Sequence, residues 1–161
     1  MISQLKGLLA HHAWADAVFL HAWGASAARE DPELRARVAH ILDVQEGFLK
    51  VLKGEALAPV QDRPLPGFDE LRVRCRAAHE VYAALARTLD DPSLIQPVRI
   101  PWFPDPPCVI STGDTLMQVC LHTQHHRGQN MSRLKALGGT PKNVDYIIWL
   151  WKQRPEPRWE G

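Results

Sequence analysis

Two histidines four residues apart, His122 and His126, are the side chains of this chain best placed for metal chemistry. On an α-helix, residues at this spacing lie about 40° apart around the axis and roughly 6 Å apart along it. Both imidazoles then project from one face, the arrangement by which a helix donates two ligands to one transition metal. A third ligand must come from another element, and His40, in a second stretch of helical pattern, is the best candidate. These residues predict a three-histidine metal site.

Polar residues interrupt the predicted buried stripe of the helix that carries this pair. The apolar positions of the stripe are Leu116, Val119, Leu134 and Leu137. Between them, on nearly the same azimuth, lie His122, His126, Gln129 and Arg133. An unpartnered polar group costs on the order of 1–3 kcal/mol when buried, so these side chains need partners. A metal supplies one for the histidines, whereas Gln129 and Arg133 are candidates for binding an anionic substrate or for satisfying the core.

The first predicted helix repeats this pattern, because His12 and Asp16 fall on its apolar stripe. That stripe comprises Leu5, Leu9, Phe19 and Trp23. A carboxylate at this position can fix the tautomer of a ligating imidazole. The alternative is that Asp16 and His12 form a buried ion pair. Asp16, His12 and His125 are the candidates for proton transfer or for support of the ligands.

The remaining histidines are interpreted from their azimuths. His125 lies about 60° from His122 and is able to replace His126 as a ligand, although a place at the edge of the stripe is favoured. His11, His21 and His79 fall off the predicted polar core and are expected at the surface.

Apolar periodicity and capping signals predict an all-α fold in one domain spanning residues 1–161. Long helices are expected at about 3–25, 31–53, 68–89 and 111–137, with a short C-terminal helix at about 143–152. Residues 55–67 are expected to form a loop. The segment 90–111 contains six prolines, so no helix is expected there, and residues 98–103 and 108–110 are predicted to form a hairpin. This order favours a four-helix bundle with a proline-rich crossover before helix four.

Five further positions carry expectations about packing. Cys75 lies on the heptad stripe of the third helix and is predicted to be a core residue. Gly47 and Gly128 are expected to allow the helices or a ligand to approach closely. Trp14 and Val18 lie opposite the core stripe of helix one, which suggests a dimer face unless the fifth helix or the proline-rich loop covers them.

Composition excludes several classes of function. The 161 residues are 45% hydrophobic and 23% charged, with a formal net charge of +1 and no run of five like charges, so neither nucleic acid nor a membrane surface is expected as a partner. No apolar stretch approaches the ~20 residues that span a bilayer. The start of the chain lacks the features of a signal peptide, and we expect a cytoplasmic protein. Three cysteines without Cys-x-x-Cys spacing support neither a disulfide framework nor a thiolate zinc site.

Three segments together resemble the DinB-like (damage-inducible protein) superfamily of bacterial four-helix bundles. They are His11-His12-Ala-Trp14-Ala-Asp16, His40-Ile-Leu-Asp-Val-Gln-Glu46, and His122-Thr-Gln-His-His126-Arg127-Gly128-Gln129 followed by Leu134 and Gly138. The similarity runs over essentially the whole chain, and the His-Arg-Gly-Gln run is its most specific part. The crossover at residues 100–107 is richer in proline than the family's usual hairpin and is expected to border the pocket mouth.

The resemblance implies a divalent ion, usually zinc or nickel, bound by His40, His122 and His126. It also implies a homodimer. Better-characterised relatives imply one of two activities: a thiol transferase that uses a low-molecular-weight thiol such as bacillithiol or mycothiol, or a mycothiol-dependent isomerase. From the residues alone, zinc, nickel, copper and iron all suit three histidines.

Three imidazoles leave at least one coordination position open, which is typical of a catalytic zinc site. Such a site can activate water for hydrolysis or a thiol for transfer to a small electrophile, and the resemblance favours transfer. The alternatives are a non-catalytic metal-binding stress-response protein and a small-ligand-binding dimer without metal dependence. Because neutral histidine is the ligand, metal release is expected as the pH falls below about 6.

Overall fold

A computed structural model describes residues 2–57 and 64–159 of the chain. In chain order its elements are α1 (Ile2–Gly24), α2 (Pro32–Leu52), α3 (Phe68–Thr88), α4 (Asp91–Leu94), β1 (Pro97–Pro104), β2 (Pro107–Ser111), α5 (Thr112–Ala136) and α6 (Tyr146–Trp151). The protein is therefore mostly helical, as predicted, and the predicted fourth helix is α5. Part of the loop expected at 55–67, residues 58–63, lies outside the described residues. None of the described helices is both long enough and apolar enough to span a membrane.

Two of the long helices, α2 and α5, begin at residues whose side chains cap them. The carboxylate of Asp31 accepts a hydrogen bond from the Leu34 amide at 2.9 Å, and Pro32 follows in the first turn of α2. Ser111 caps α5 in the same way, through a bond from the Asp114 amide at 3.0 Å. Both caps satisfy amides that have no partner within the helix.

The proline-rich segment contains one helical turn, α4, so the expectation that this segment has no helix is wrong at residues 91–94. Asp90 caps this turn by accepting a hydrogen bond from the Ser93 amide at 2.8 Å. Pro92 lies in the first turn, where a proline lacks only an amide that would be unpaired in any case. The short helix is thus compatible with its proline.

The predicted hairpin is confirmed. Strands β1 and β2 are antiparallel, with Val98 opposite Ile110 and Ile100 opposite Cys108. The register shifts between Ile100 and Pro104. Proline has no amide hydrogen to donate to a strand ladder, so Pro101 and Pro104 interrupt regular pairing here.

The long helices pack around a core in which α1 and α2 each contact both α3 and α5. One apolar cluster combines the start of α1 and α5 with the end of α2 and α3; its largest members include Leu5, Leu9, Phe48, Tyr82 and Leu116. The second occupies the opposite ends of the same helices; its members include Phe19, Trp23, Leu42, Cys75 and Leu134. Cys75 is buried there, as predicted. Buried polar side chains separate the two clusters and are described below.

Trp14 does not form an exposed face. It is 5% exposed and belongs to a third cluster with Val144 and Trp149, against which Val18 also packs. The dimer face expected at Trp14 and Val18 is therefore wrong. The other interpretation, that the C-terminal helix covers them, is confirmed, since Trp149 lies in α6.

Gly47 and Gly128, expected to allow the helices or a ligand to approach closely, are not points of close contact between helices. Close approach of a ligand there stays a prediction. A Cβ atom added at Gly47 or Gly128 would meet no other atom within 4 Å. Gly138 is different, because it follows α5 with a φ of +82°, a left-handed conformation that disfavours other residues.

These glycines make a matched pair of substitutions. We expect Gly128→Ala to raise the free energy of unfolding by about 0.5–1 kcal/mol, since alanine favours helix and meets nothing there. Gly138→Ala should lower it by about 1 kcal/mol because of its positive φ. Urea unfolding of both variants measures the difference. A loss of stability in Gly128→Ala would contradict the open space at that position.

Candidate metal centre

The three predicted ligands lie together at the surface between α2 and α5. The ring centroids are 5.2 Å apart for His40 and His122, 5.0 Å for His40 and His126, and 4.5 Å for His122 and His126. One nitrogen from each ring can be chosen so that all three lie within 4.8 Å of one another. His40 is exposed, and the other two are half-buried. The helices thus bring together residues far apart in the sequence, as the ligand pattern predicts.

The donor set fits a divalent transition metal. Nitrogen ligands about 2.0–2.1 Å from a zinc ion stand roughly 3.4 Å apart in a tetrahedral site, so small side-chain rotations would bring the three rings into range. The Nδ1 atom of His122 is buried and has no hydrogen-bond partner among the described residues. A buried imidazole nitrogen without a partner is available as a ligand atom. Three imidazoles suit zinc, nickel, copper or iron better than magnesium or calcium.

Burial favours the neutral form of two of these imidazoles, His40 and His122. Burial, together with the nearby rings of His126, His40 and His125, lowers the pKa of His122 to about 4. Burial and the neighbouring His126 lower the pKa of His40, although Asp43 opposes this effect. Protons therefore compete weakly for His40 and His122 near neutral pH. Neutral imidazole is the form that binds a metal.

Gln129 supports His126 from the outside. Its amide oxygen lies 2.9 Å from Nδ1 of His126 and can only accept, so Nδ1 carries the proton and Nε2 is left free for a metal. The amide nitrogen of Gln129 lies 3.1 Å from Nε2 of His125 and donates to it. His125 is exposed and does not belong to the ligand cluster, which contains His126 instead.

The buried side of α5 differs from the predicted stripe. Its buried residues are Thr115, Leu116, Val119, Cys120, Thr123, Arg127, Asn130 and Leu134. Gln129 is exposed and Leu137 is 36% exposed, so both expectations of burial are wrong. Arg133 is half-buried and forms an ion pair with Asp31 (Nη2 to Oδ2, 2.8 Å) at the start of α2. Leu116, Val119 and Leu134 are buried as predicted, but the polar positions buried between them lie one residue, about 100°, from the predicted ones.

Asp16 is buried, as predicted, but its partners are not the candidate ligands. Its Oδ1 accepts a hydrogen bond from Nη1 of Arg127 at 2.6 Å, and its Oδ2 accepts one from Nε2 of His79 at 2.9 Å. The expected bond between Asp16 and a candidate ligand is absent among the described residues. Burial alone would raise the pKa of Asp16, but Arg127, His12 and His79 hold that pKa well below its usual value. The cation that neutralises Asp16 is thus Arg127.

His12 is also buried, and burial lowers its pKa well below the usual value for histidine. The alternative that His12 is the charged partner of Asp16 is therefore not supported. Nε2 of His12 lies 3.1 Å from the amide nitrogen of Gln45, which also donates to Thr123 at 3.1 Å. His12, Asp16 and His79 are spaced closely enough to hold a metal, but the bonded guanidinium of Arg127 disfavours a second cation there.

Two histidines expected at the surface are buried. His79 stacks on Trp159, and Nε2 of His11 lies 2.7 Å from the carbonyl of Val144 and donates to it. His21 is exposed, as predicted. Sequence reasoning missed His79 and Arg127 because a charged residue on a helix is usually solvated. The sequence does contain a pattern that predicts burial of Arg127, because helical spacing places it on the same face as Leu116, Val119, Thr123 and Leu134.

The pair between Asp16 and Arg127 can be tested by a double-mutant cycle. Because each single substitution leaves a buried charge without its partner, Asp16→Asn and Arg127→Met should each lower the free energy of unfolding by roughly 3–5 kcal/mol. The double variant should lose much less than the sum of the two. Urea unfolding gives all four values. Additive losses would contradict direct coupling between these side chains.

Stability should also depend on pH through the histidines. For His12 and His122 the pKa in the folded state lies below the unfolded value of 6.5, so the unfolded chain binds more protons once the pH falls below that value. The free energy of unfolding of the metal-free protein is then expected to decrease from about pH 6.5 towards pH 4. Urea midpoints at pH 7.5, 5.5 and 4.5 measure this effect, and His122→Ala should reduce it. A midpoint that stays constant or rises on acidification would contradict the assignment.

Comparison with known proteins places the chain in a family. The profile of the DinB family matches residues 4–159, almost the entire length. Neither the curated proteins nor the solved structures contain a match to the chain. A match of this extent, over a helical fold with a candidate three-histidine centre, shows that the chain belongs to the DinB family.

Proposed function

We propose that this DinB-family protein binds one divalent metal ion, zinc or nickel, through His40, His122 and His126, on a four-helix-bundle scaffold. The observation that supports this most directly is the convergence of three imidazoles from two helices, with the pKa lowered for two of them. We further propose that the site serves transfer of a low-molecular-weight thiol to an electrophilic small molecule. Hydrolysis at the same site is the closest variant of this activity.

A bound ion would lower the pKa of a thiol or of water and so supply a nucleophile. The residues of the chain would prepare the site for it. Gln129 fixes the tautomer of His126 through its 2.9 Å hydrogen bond, and exposed His40 leaves the centre open to solvent. His125 is our candidate for proton transfer, because it is exposed and joined to His126 through Gln129. Asp16 we assign to positioning, since both its oxygens are bonded to Arg127 and His79.

One observation favours the second candidate, a metal-binding protein without catalytic activity. Two cavities, of about 300 and 380 Å³, lie near the end of α1, and neither is lined by His40, His122 or His126. For the catalytic function, we propose that a second copy of the chain completes the pocket for the cosubstrate. In the non-catalytic reading the ion would only join α2 to α5.

Metal content is the first test. We expect about one equivalent of zinc or nickel in untagged protein and in His21→Ala, but little in His40→Ala or His122→Ala. His21 is the matched control because it is exposed and outside the cluster. Elemental analysis by mass spectrometry measures all four proteins. The metal should be retained at pH 7 and lost by about pH 4, where protons occupy the ligands. No metal in the parent after reconstitution would refute the site.

Activity is the second arm of this experiment. The metal-loaded parent is incubated with a low-molecular-weight thiol and a chromogenic aryl halide, and thiol conjugation is followed by absorbance. The transfer proposal expects turnover that stops on chelation while circular dichroism shows the helices intact. Unfolding on chelation without turnover would support the non-catalytic candidate instead. Metal binding and catalysis are thereby judged separately.

A further inference from the structure

A second site lies away from the histidines, where the end of α1 meets the start of α3 and the C-terminal segment. A cavity of about 300 Å³ is present there. The residues that matter for its chemistry are Gly24, Arg29, Phe68, Arg72, Arg158 and Trp159. None of the candidate metal ligands lines it. Its aromatic and cationic residues form two distinct parts, a floor and a rim.

The aromatic floor is held in place by the core. A Cβ atom at Gly24 would lie 2.7 Å from Cζ of Phe68, so the ring packs directly on the glycine backbone. Phe68 also meets Trp23 edge to face, with ring centroids 4.8 Å apart. Trp159 stacks on buried His79, at a centroid distance of 5.4 Å and an interplanar angle of 26°. Both rings are therefore fixed before any ligand binds.

The rim carries more positive than negative charge. Arg29, Arg72 and Arg158 face a single carboxylate, Asp69, among the residues that line the cavity. Arg29 and Arg72 both pair with that carboxylate, Arg72 at 3.3 Å (Nη2 to Oδ1). No ion pair involving Arg158 is found within the described part of the chain. Each guanidinium offers five N–H donors, so the one carboxylate that Arg29 and Arg72 share leaves most of their donors without an acceptor among the described residues.

We propose that this cavity binds a small aromatic anion. The ring of the ligand would lie against Trp159, because Phe68 is 3% exposed and the Arg29 guanidinium already lies over its ring, 4.7 Å from the centroid. The carboxylate or phosphate of the ligand would accept hydrogen bonds from the arginine rim. Planar guanidinium groups match both anions in this way. A volume of about 300 Å³ lies at the small end of ligand pockets, which limits the ligand to about one ring. The Asp69 pairs do not close the site, since its carboxylate is 63% exposed and such pairs are weak.

The test uses the full chain with benzoate and phenyl phosphate as the two anionic probes. Benzamide is the uncharged analogue of benzoate, and inorganic phosphate lacks the ring. Isothermal titration calorimetry is run on the metal-loaded protein and on His122→Ala, because a carboxylate can also bind a metal. We expect saturable binding of at least one aromatic anion in both proteins, about tenfold or more tighter than benzamide or inorganic phosphate. Which anion binds tighter distinguishes a carboxylate ligand from a phosphate ligand.

Substitutions of the rim arginines test whether the anion binds in this cavity. Arg72→Gln and Arg158→Gln should each weaken it about tenfold or more, since each removes a charge-assisted hydrogen bond. Arg87→Gln is the matched control, because Arg87 is exposed at the other end of α3, and it should bind as the parent does. Equal affinity for benzamide, equal affinity for inorganic phosphate, or affinity unchanged in both rim variants would overturn the proposal. A complete absence of binding at about 10 mM probe would also overturn the proposal. The same holds if binding is lost in His122→Ala but kept in the two rim variants.

Discussion

The buried ion pair between Asp16 and Arg127 is the constraint on which the arrangement of the helices depends. It lies between two apolar clusters that would each tolerate sliding of one helix along another, because apolar contacts have little directional preference. A charge pair does not tolerate it, since displacement by one turn would leave a carboxylate and a guanidinium buried without partners. The pair joins α1 to α5, and His79 extends the contact to α3. One interaction thus fixes the axial register of three helices.

The buried polar side chains between the two apolar clusters, called the polar layer below, also reach the remaining long helix, α2, and through it the candidate metal centre. Gln45 of α2 contacts His12 of α1 and donates to Thr123 of α5, and its backbone carbonyl accepts a hydrogen bond from Tyr82 at 2.8 Å. His40 lies just over one turn before Gln45. On α5, His122 directly precedes Thr123, and His126 directly precedes Arg127. Each candidate ligand is therefore close in sequence to a residue whose position the polar layer determines. The histidines of the candidate centre owe their convergence to buried neighbours.

The sequence predicted the long helices, the hairpin and the pair of ligands on α5 because each depends on local rules, whereas His40 was assigned from the need for a third ligand and from the family resemblance. Capping residues mark the ends of α2 and α5, and His122 and His126 are four apart on one helix. What it did not predict depends on contacts between distant segments. His79 was expected at the surface, because nothing near it indicates that Trp159 covers it. Arg127 was overlooked, because its burial requires Asp16 on another helix. An azimuthal error of one residue placed Gln129 and Arg133 in the core. The partner of Gln129, His126, lies one turn away on the same helix, whereas the partner of Arg133, Asp31, lies at the start of α2 and could not be predicted from local spacing.

The prolines of the hairpin affect the tendency of this protein to aggregate through its strand edges. A two-stranded sheet has an unpaired outer edge on each strand, and here it carries the exposed side chains Trp102, Phe103 and Val109. An apolar strand with a free edge is a template for β-aggregation. Strand β1 includes Pro97, Pro101 and Pro104, and β2 begins at Pro107, and none of these has an amide hydrogen to offer an incoming strand. These prolines reduce the number of amide hydrogens that β1 can offer to a further strand, so extension of the sheet at the strand that carries Trp102 and Phe103 is disfavoured.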